Sequence, residues 1–133
     1  MTPILLDTSS WVEYLRDSGS ITCERVDELI RSGSLMATTD IVIMELLSGA
    51  RASDDRKKIW SLLNRCSMLP VRPLFDYQKA AELYLRCRAN GFTPANSNDL
   101  LVASVAIGKK VPVLAAEKDF ERIAAVSSLK LVA

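Results

Sequence analysis

Four acids, Asp7, Glu45, Asp99 and Asp119, sit where the surrounding residues give a carboxylate chemical work to do. Asp7 ends the apolar run Ile4-Leu5-Leu6 and is followed by Thr8 and Ser9, small hydroxyls that can bond its carboxylate. Glu45 lies in Ile41-Val42-Ile43-Met44-Glu45-Leu46-Leu47, so apolar a stretch that it predicts a largely buried helix. A carboxylate there is costly unless a cation or hydrogen-bond donors meet it. Asp99 opens Asp99-Leu100-Leu101-Val102-Ala103-Ser104-Val105-Ala106, where helical spacing puts Val102, Ala103 and Ala106 on its own face. Asp119 follows a late apolar run, with Glu117 two residues before it. Each acid alone has an ordinary explanation as a helix cap, a helix-start charge or a wet stripe. Brought together they repel: two carboxylates about 4 Å apart cost ~4 kcal/mol at an effective dielectric of about 20. Such a cluster raises its pKa values or binds a cation. The chain has no histidine, which removes imidazole bases, Ser-His-Asp and Cys-His triads and His-ligated zinc. All-oxygen donors favour Mg²⁺ or Mn²⁺ over Zn²⁺. A carboxylate-held ion of that kind suits phosphodiester hydrolysis, since it activates water and neutralises the scissile phosphate.

These acids need elements that converge. The sequence predicts strands at Pro3–Leu6, Leu35–Thr38, Met68–Val71, Val111–Ala115 and Leu129–Val132. Between them it predicts helices: one capped by Ser9 or Ser10, one from Ser20 ending at Gly33, Ile41–Ala50, one opening at Ser53 and Asp54, Asp76–Asn90, Ser97–Ile107 ended by Gly108, and Asp119–Ala125. Short apolar strands alternating with helices predict an α/β fold: a parallel sheet of four to five strands covered on both faces. In such folds ligands sit at the carboxyl ends of strands.

The 133 residues suit one domain, spanning 1–133, with no linker or repeat. The balance of 17 basic and 16 acidic residues offers no bulk argument for a polyanion partner. Cys23, Cys66 and Cys87 are too few and scattered for a disulfide framework and read as buried or half-buried thiols. The short apolar start is not a signal peptide, and no stretch reaches the ~20 apolar residues of a membrane span. The expected location is cytoplasmic.

The stretches Leu5-Leu6-Asp7-Thr8-Ser9-Ser10-Trp11, Met44-Glu45-Leu46-Leu47-Ser48-Gly49-Ala50-Arg51, Asn98-Asp99-Leu100-Leu101-Val102-Ala103 and Glu117-Lys118-Asp119-Phe120-Glu121-Arg122-Ile123 occur in that order. In order and spacing the chain resembles PIN-domain proteins, and among them the VapC-type toxin ribonucleases of bacterial toxin–antitoxin pairs. The resemblance implies a three-layer α/β/α sandwich, an Mg²⁺- or Mn²⁺-dependent endoribonuclease, a homodimer formed by the later helices, and inhibition by a small VapB-like antitoxin. It implies that Asp7, Glu45 and Asp99 match the family's first three acids and Asp119 the fourth, with Glu117 standing where many relatives have Asp. Ala115 and Ala116 replace polar residues usual before the fourth motif.

On this basis Asp7 and Asp99 are expected to hold metal directly, Glu45 to orient the attacking water or act as a base, and Asp119 with Glu117 to complete the pocket. Thr8, Ser9 and Asn98 are expected to hold carboxylates or a phosphate oxygen. Arg51, directly after the Glu45 helix, leads the candidates for phosphate contact, with Arg16, Arg86 and Arg88 behind it. Arg56-Lys57-Lys58 reads as a solvated face. Trp11 and Tyr14 can stack on a base, fill the core or line a groove for an antitoxin helix. Two other classes stay open: an acid-site phosphotransfer or phosphatase domain, although its second Asp two residues on is Ser9 here, and a non-catalytic binding module of the same fold.

Overall fold

The computed structural model describes residues 2–132. In chain order the elements are β1 (Ile4–Leu6), α1 (Thr8–Leu15), α2 (Ile21–Ser32), β2 (Met36–Thr38), α3 (Asp40–Gly49), α4 (Ser53–Leu63), β3 (Ser67–Met68), α5 (Phe75–Ala89), α6 (Ser97–Lys109), β4 (Val113–Leu114) and α7 (Asp119–Ala125). The four strands are all parallel, in the order β3-β2-β1-β4. Leu5 pairs with Ala37 on one side and Val113 on the other, so β1 is central and apolar throughout. Helix α1 packs on α2 and α3, α3 on α4 and α6, and α5, α6 and α7 on one another. This is the expected three-layer α/β/α sandwich. No helix among the described residues is long and apolar enough to cross a membrane.

Strand order decides where a site can form. From β1 the chain moves outward through β2 and β3, then returns to place β4 on the other side of β1. The crevice at that reversal, outside the carboxyl ends of β1 and β4, is where open α/β sheets bind ligands.

Several local expectations are corrected. Helix α1 starts at Thr8 and is capped by Asp7 rather than by Ser9 or Ser10. Helix α3 is not largely buried: Val42 and Leu46 face inward, while Met44 is 53% exposed and Glu45 half-buried. Ile41, Ile43 and Leu47 are only partly buried against the core, so the apolar sequence is covered on one side and not all round. The fifth strand shrinks to one bridge between Leu131 and Val113. Strand β3 ends at Met68, before Pro70, whose missing N–H cannot extend a ladder. Helix α6 passes Gly108 and ends where Lys110 adopts a left-handed conformation.

Gly108 has a different use. A Cβ there would run into the Arg72 guanidinium, which lies 4.2 Å from the Phe75 ring centroid and is bonded to Asp76. Asp76 is fully buried and accepts from the Arg72 N–H at 2.7 Å, from Arg72 Nη2 at 3.1 Å and from Ser104 Oγ at 3.0 Å. Burial alone pushes the Asp76 carboxyl up; the bonds from Arg72 and Ser104 overcome this and hold it below its ordinary 3.8. With the native value depressed, this stabilisation is present above pH ~4 and is lost as pH falls through the native value. Arg72→Met is expected to destabilise the fold by about 2–3 kcal/mol at pH 7. That is less than for a wholly buried pair, because Arg72 is 42% exposed. Urea denaturation at pH 7 checks this, and a loss under about 0.5 kcal/mol contradicts it.

Candidate active site

The crevice at the reversal is acidic. Asp7, the residue after β1, is 3% exposed, and its N–H donates to Leu114 O of β4 at 3.0 Å. Its Oδ2 accepts from the Ser9 N–H at 3.0 Å and Ser9 Oγ at 2.7 Å. Asp7 is thus a helix cap and a pocket residue at once. Burial, with the Glu45 charge adding to it, lifts the Asp7 pKa against the lowering effect of Ser9.

Ser9 does more than support Asp7. Its Oγ also accepts from the N–H groups of Ala116 at 2.9 Å and Glu117 at 3.2 Å. One donor and two acceptors exhaust a hydroxyl. The segment after β4 is thereby latched onto α1, and Glu117 is carried to the cavity. The alanines at 115 and 116 cost little here, because the contact uses backbone.

Glu45 is fixed at both oxygens: Thr8 Oγ1 donates to Oε1 at 2.7 Å and Asn98 Nδ2 to Oε2 at 3.4 Å. Asp99 stands in the first turn of α6, whose cap, Asn96, accepts from the Asn98 N–H. It is 6% exposed. Burial raises its pKa to about 7, helped in order by the charges of Asp7, Glu117, Glu45 and Asp119. Asp119 opens α7, and its Oδ2 accepts from the Ala95 N–H at 3.1 Å, tethering the segment before α6.

Asp7, Glu45, Asp99, Glu117 and Asp119 therefore line one cavity of about 220 Å³, together with Thr8, Ser9, Ala95 and Asn96. No Lys or Arg lines it. The sequence expectation missed Ala95 and Asn96; an Asn one residue before a helix start was the available signal for the latter.

The donor set fits a hard divalent cation: five carboxylates, oxygen throughout, and no basic side chain to balance them. Among the described residues no three of these groups close up tightly enough to hold an ion unaided. That suits Mg²⁺, which keeps several waters and takes few protein ligands.

Other candidates lie elsewhere. Arg51 is exposed and does not line the cavity. Arg86 Nη1 donates to Val126 O and Arg88 Nη1 to Tyr84 Oη. Trp11 is 1% exposed and belongs to the core, so it stacks on no base.

Ser9→Ala releases the Ala116 and Glu117 amides from the latch and removes the hydroxyl donor to Asp7, leaving that carboxylate only the residue-9 N–H. It is expected to loosen the cavity's carboxylates and cut turnover there by about 10- to 100-fold, as loss of a group that orients site side chains does, with Ser9→Thr restoring most of it. Parallel turnover assays check this; equal rates for Ser9→Ala and wild type contradict it.

The sheet is parallel, its carboxylates gather at the strand ends of its switch point, and the PIN domain family matches residues 4–126. The chain belongs to that family and, within it, to the VapC-type ribonucleases. It is 34% identical over 128 residues to VapC ribonuclease Mb1587 of Mycobacterium bovis and to ribonuclease VapC11 of Mycobacterium tuberculosis, with 96% of each chain covered. The fold also matches VapBC2 from Rickettsia felis bound to a DNA fragment from its promoter, with a TM-score of 0.73 and 21% identity. That match covers 97% of this chain and 96% of the other.

Proposed function

We propose that this chain is a divalent-metal-dependent endoribonuclease, the toxin of a toxin–antitoxin pair. The carrying observation is the cavity at the β1/β4 reversal, lined by five carboxylates and no base. Mg²⁺ or Mn²⁺ bound there supplies an activated water and positive charge for the scissile phosphate. Asp7 and Asp99 would hold the ion, with Glu117 and Asp119 completing its surroundings. Glu45, clamped by Thr8 and Asn98, orients the attacking water and is placed to take its proton. Ser9 fixes Asp7 and the Glu117 segment in relation to each other.

Solved structures of the same fold include VapBC toxin–antitoxin proteins, which supports a small VapB-like antitoxin as partner. A second surface supports a homodimer: Tyr77, Tyr84, Leu85 and Leu101 line a shallow groove of about 730 Å³ between α5 and α6. Tyr77 is 53% and Leu85 65% exposed there. Apolar exposure of this kind marks an interface.

Cleavage of total RNA by the purified protein with added Mn²⁺ or Mg²⁺, abolished by a chelator, tests the reading. No cleavage with either ion, or a stable acyl-phosphate formed from a small phosphodonor, overturns it.

A further inference from the structure

The acidic cavity has no cation of its own to meet the phosphates flanking a scissile bond. A second groove begins where it ends. Glu45 lines both. From Glu45 this groove, of about 380 Å³, follows α3 to Gly49 and Ala50, walled by the end of α1 and by α4. Its floor is apolar, made by Val12, Leu15, Leu46 and Ile59.

Two bases reach this groove, Arg16 at the end of α1 and Lys58 on α4. Both are exposed, and neither forms an ion pair among the described residues. Two acids line it with them, Glu45 at its mouth on the acidic cavity and Asp55 on α4. The neighbouring Arg56 is committed elsewhere, its Nη1 donating to Ala50 O and Arg51 O to close the α3–α4 turn. Arg51 lines neither groove nor cavity.

We infer that the RNA backbone leaves the acidic cavity over Glu45 and runs into this groove, where Arg16 and Lys58 bind the phosphates beside the scissile one. The inference rests on the nuclease reading and names its substrate-positioning residues. The two bases without ion-pair partners, Arg16 and Lys58, and continuity with the acidic cavity through Glu45 select the occupant. A polyanion needs bases next to a site that has none, and the only residue shared by the two hollows is Glu45. The apolar floor accommodates sugar and base faces between the charged walls.

The test uses the full chain carrying Asp7→Asn, so that RNA binds uncut, and a fluorescently labelled single-stranded RNA of randomised sequence, with Mg²⁺ present. Arg16→Gln and Lys58→Gln are each expected to raise Kd about three- to tenfold and to flatten the dependence of log Kd on log salt by about 0.7. Asp55→Asn is expected to tighten binding about twofold, and Arg51→Gln to leave it unchanged. With Asp7 restored, Arg16→Gln and Lys58→Gln should raise KM for RNA cleavage more than they lower kcat. Thermal melts confirm folding, since both side chains are exposed. If the parent binds RNA and the Arg16 and Lys58 variants bind it equally well, the inference fails while the nuclease reading stands. It fails in the same way if these variants lose inhibition by a protein partner but keep their RNA affinity. If wild type cuts no RNA with Mg²⁺ or Mn²⁺, the nuclease reading itself has failed.

Discussion

Asp7→Asn is expected to reduce metal-dependent RNA cleavage by about a thousandfold, a loss typical of removing a group that stabilises transition-state charge, while the protein stays folded. Asn is the sharper substitution for a structural reason. Asp7 caps α1 by accepting from the Ser9 N–H, and Asn caps about as well as Asp. Alanine would also remove the cap, at about 1 kcal/mol, and mix a stability effect with a catalytic one. Asn keeps the acceptor and deletes only the charge. The variant should therefore melt at or above the wild-type temperature, because one of five crowded carboxylates has been neutralised. Asp7 is also the largest of the charges pressing on Asp99, after burial itself. Its loss should lower the Asp99 pKa, a shift that carbon-13 NMR of the carboxyl groups can follow independently of activity. An Asp7→Asn protein that cleaves at the wild-type rate defeats the assignment of Asp7 to the ion.

Asp7, Asp99 and Asp119 were legible because each lies at an element boundary that hydrophobic patterning marks, and Glu45 because it is the one charge inside an apolar run. Ile4-Leu5-Leu6 ends at Asp7, and Val102, Ala103 and Ala106 are buried on the face Asp99 heads. What sequence patterning cannot show is partnership across space. The Ser9 Oγ meets the Ala116 N–H 107 positions further on, and no local rule pairs a hydroxyl with a distant amide. The same blindness affects the ranking of the bases, among which Arg16 stands behind Arg51. Arg51 looks best by adjacency to the Glu45 helix, yet Arg16 and Lys58 line the hollow beside Glu45 because α1 and α4 flank α3. Helix α3 failed in the other direction. Apolar composition measures what a helix can bury, and only a neighbouring element decides what it does bury.

Stability of the metal-free protein is expected to fall as pH rises from 5 to 8, and added Mg²⁺ or Mn²⁺ to reverse that fall. The folded pKa of Asp99, about 7, lies above its ordinary 3.8. Between those values the folded chain holds a proton that the unfolded chain has released, so raising pH favours unfolding. Below pH ~4 the stabilisation is complete; above pH ~7 it is gone. Asp7, whose pKa is also raised, acts in the same direction. Asp76 acts in the opposite direction, but only below its ordinary 3.8, outside this range. A divalent ion needs the carboxylate, so below pH ~7 its binding must expel the Asp99 proton, and affinity should rise by up to about tenfold per pH unit. Melting curves with and without 5–10 mM ion (roughly, an excess over a weak site) should therefore nearly coincide at pH 5 and separate progressively toward pH 8. Asp99→Asn, which cannot titrate, should flatten the metal-free profile and close the separation. A wild-type metal-free protein that grows steadily more stable from pH 5 to 8, or an Asp99→Asn variant with an unchanged profile, would show that this carboxylate is not the one under strain. Both expectations have one physical cause: the burial and crowding of carboxylates that are unfavourable at neutral pH without a cation are what give a cation its binding energy there.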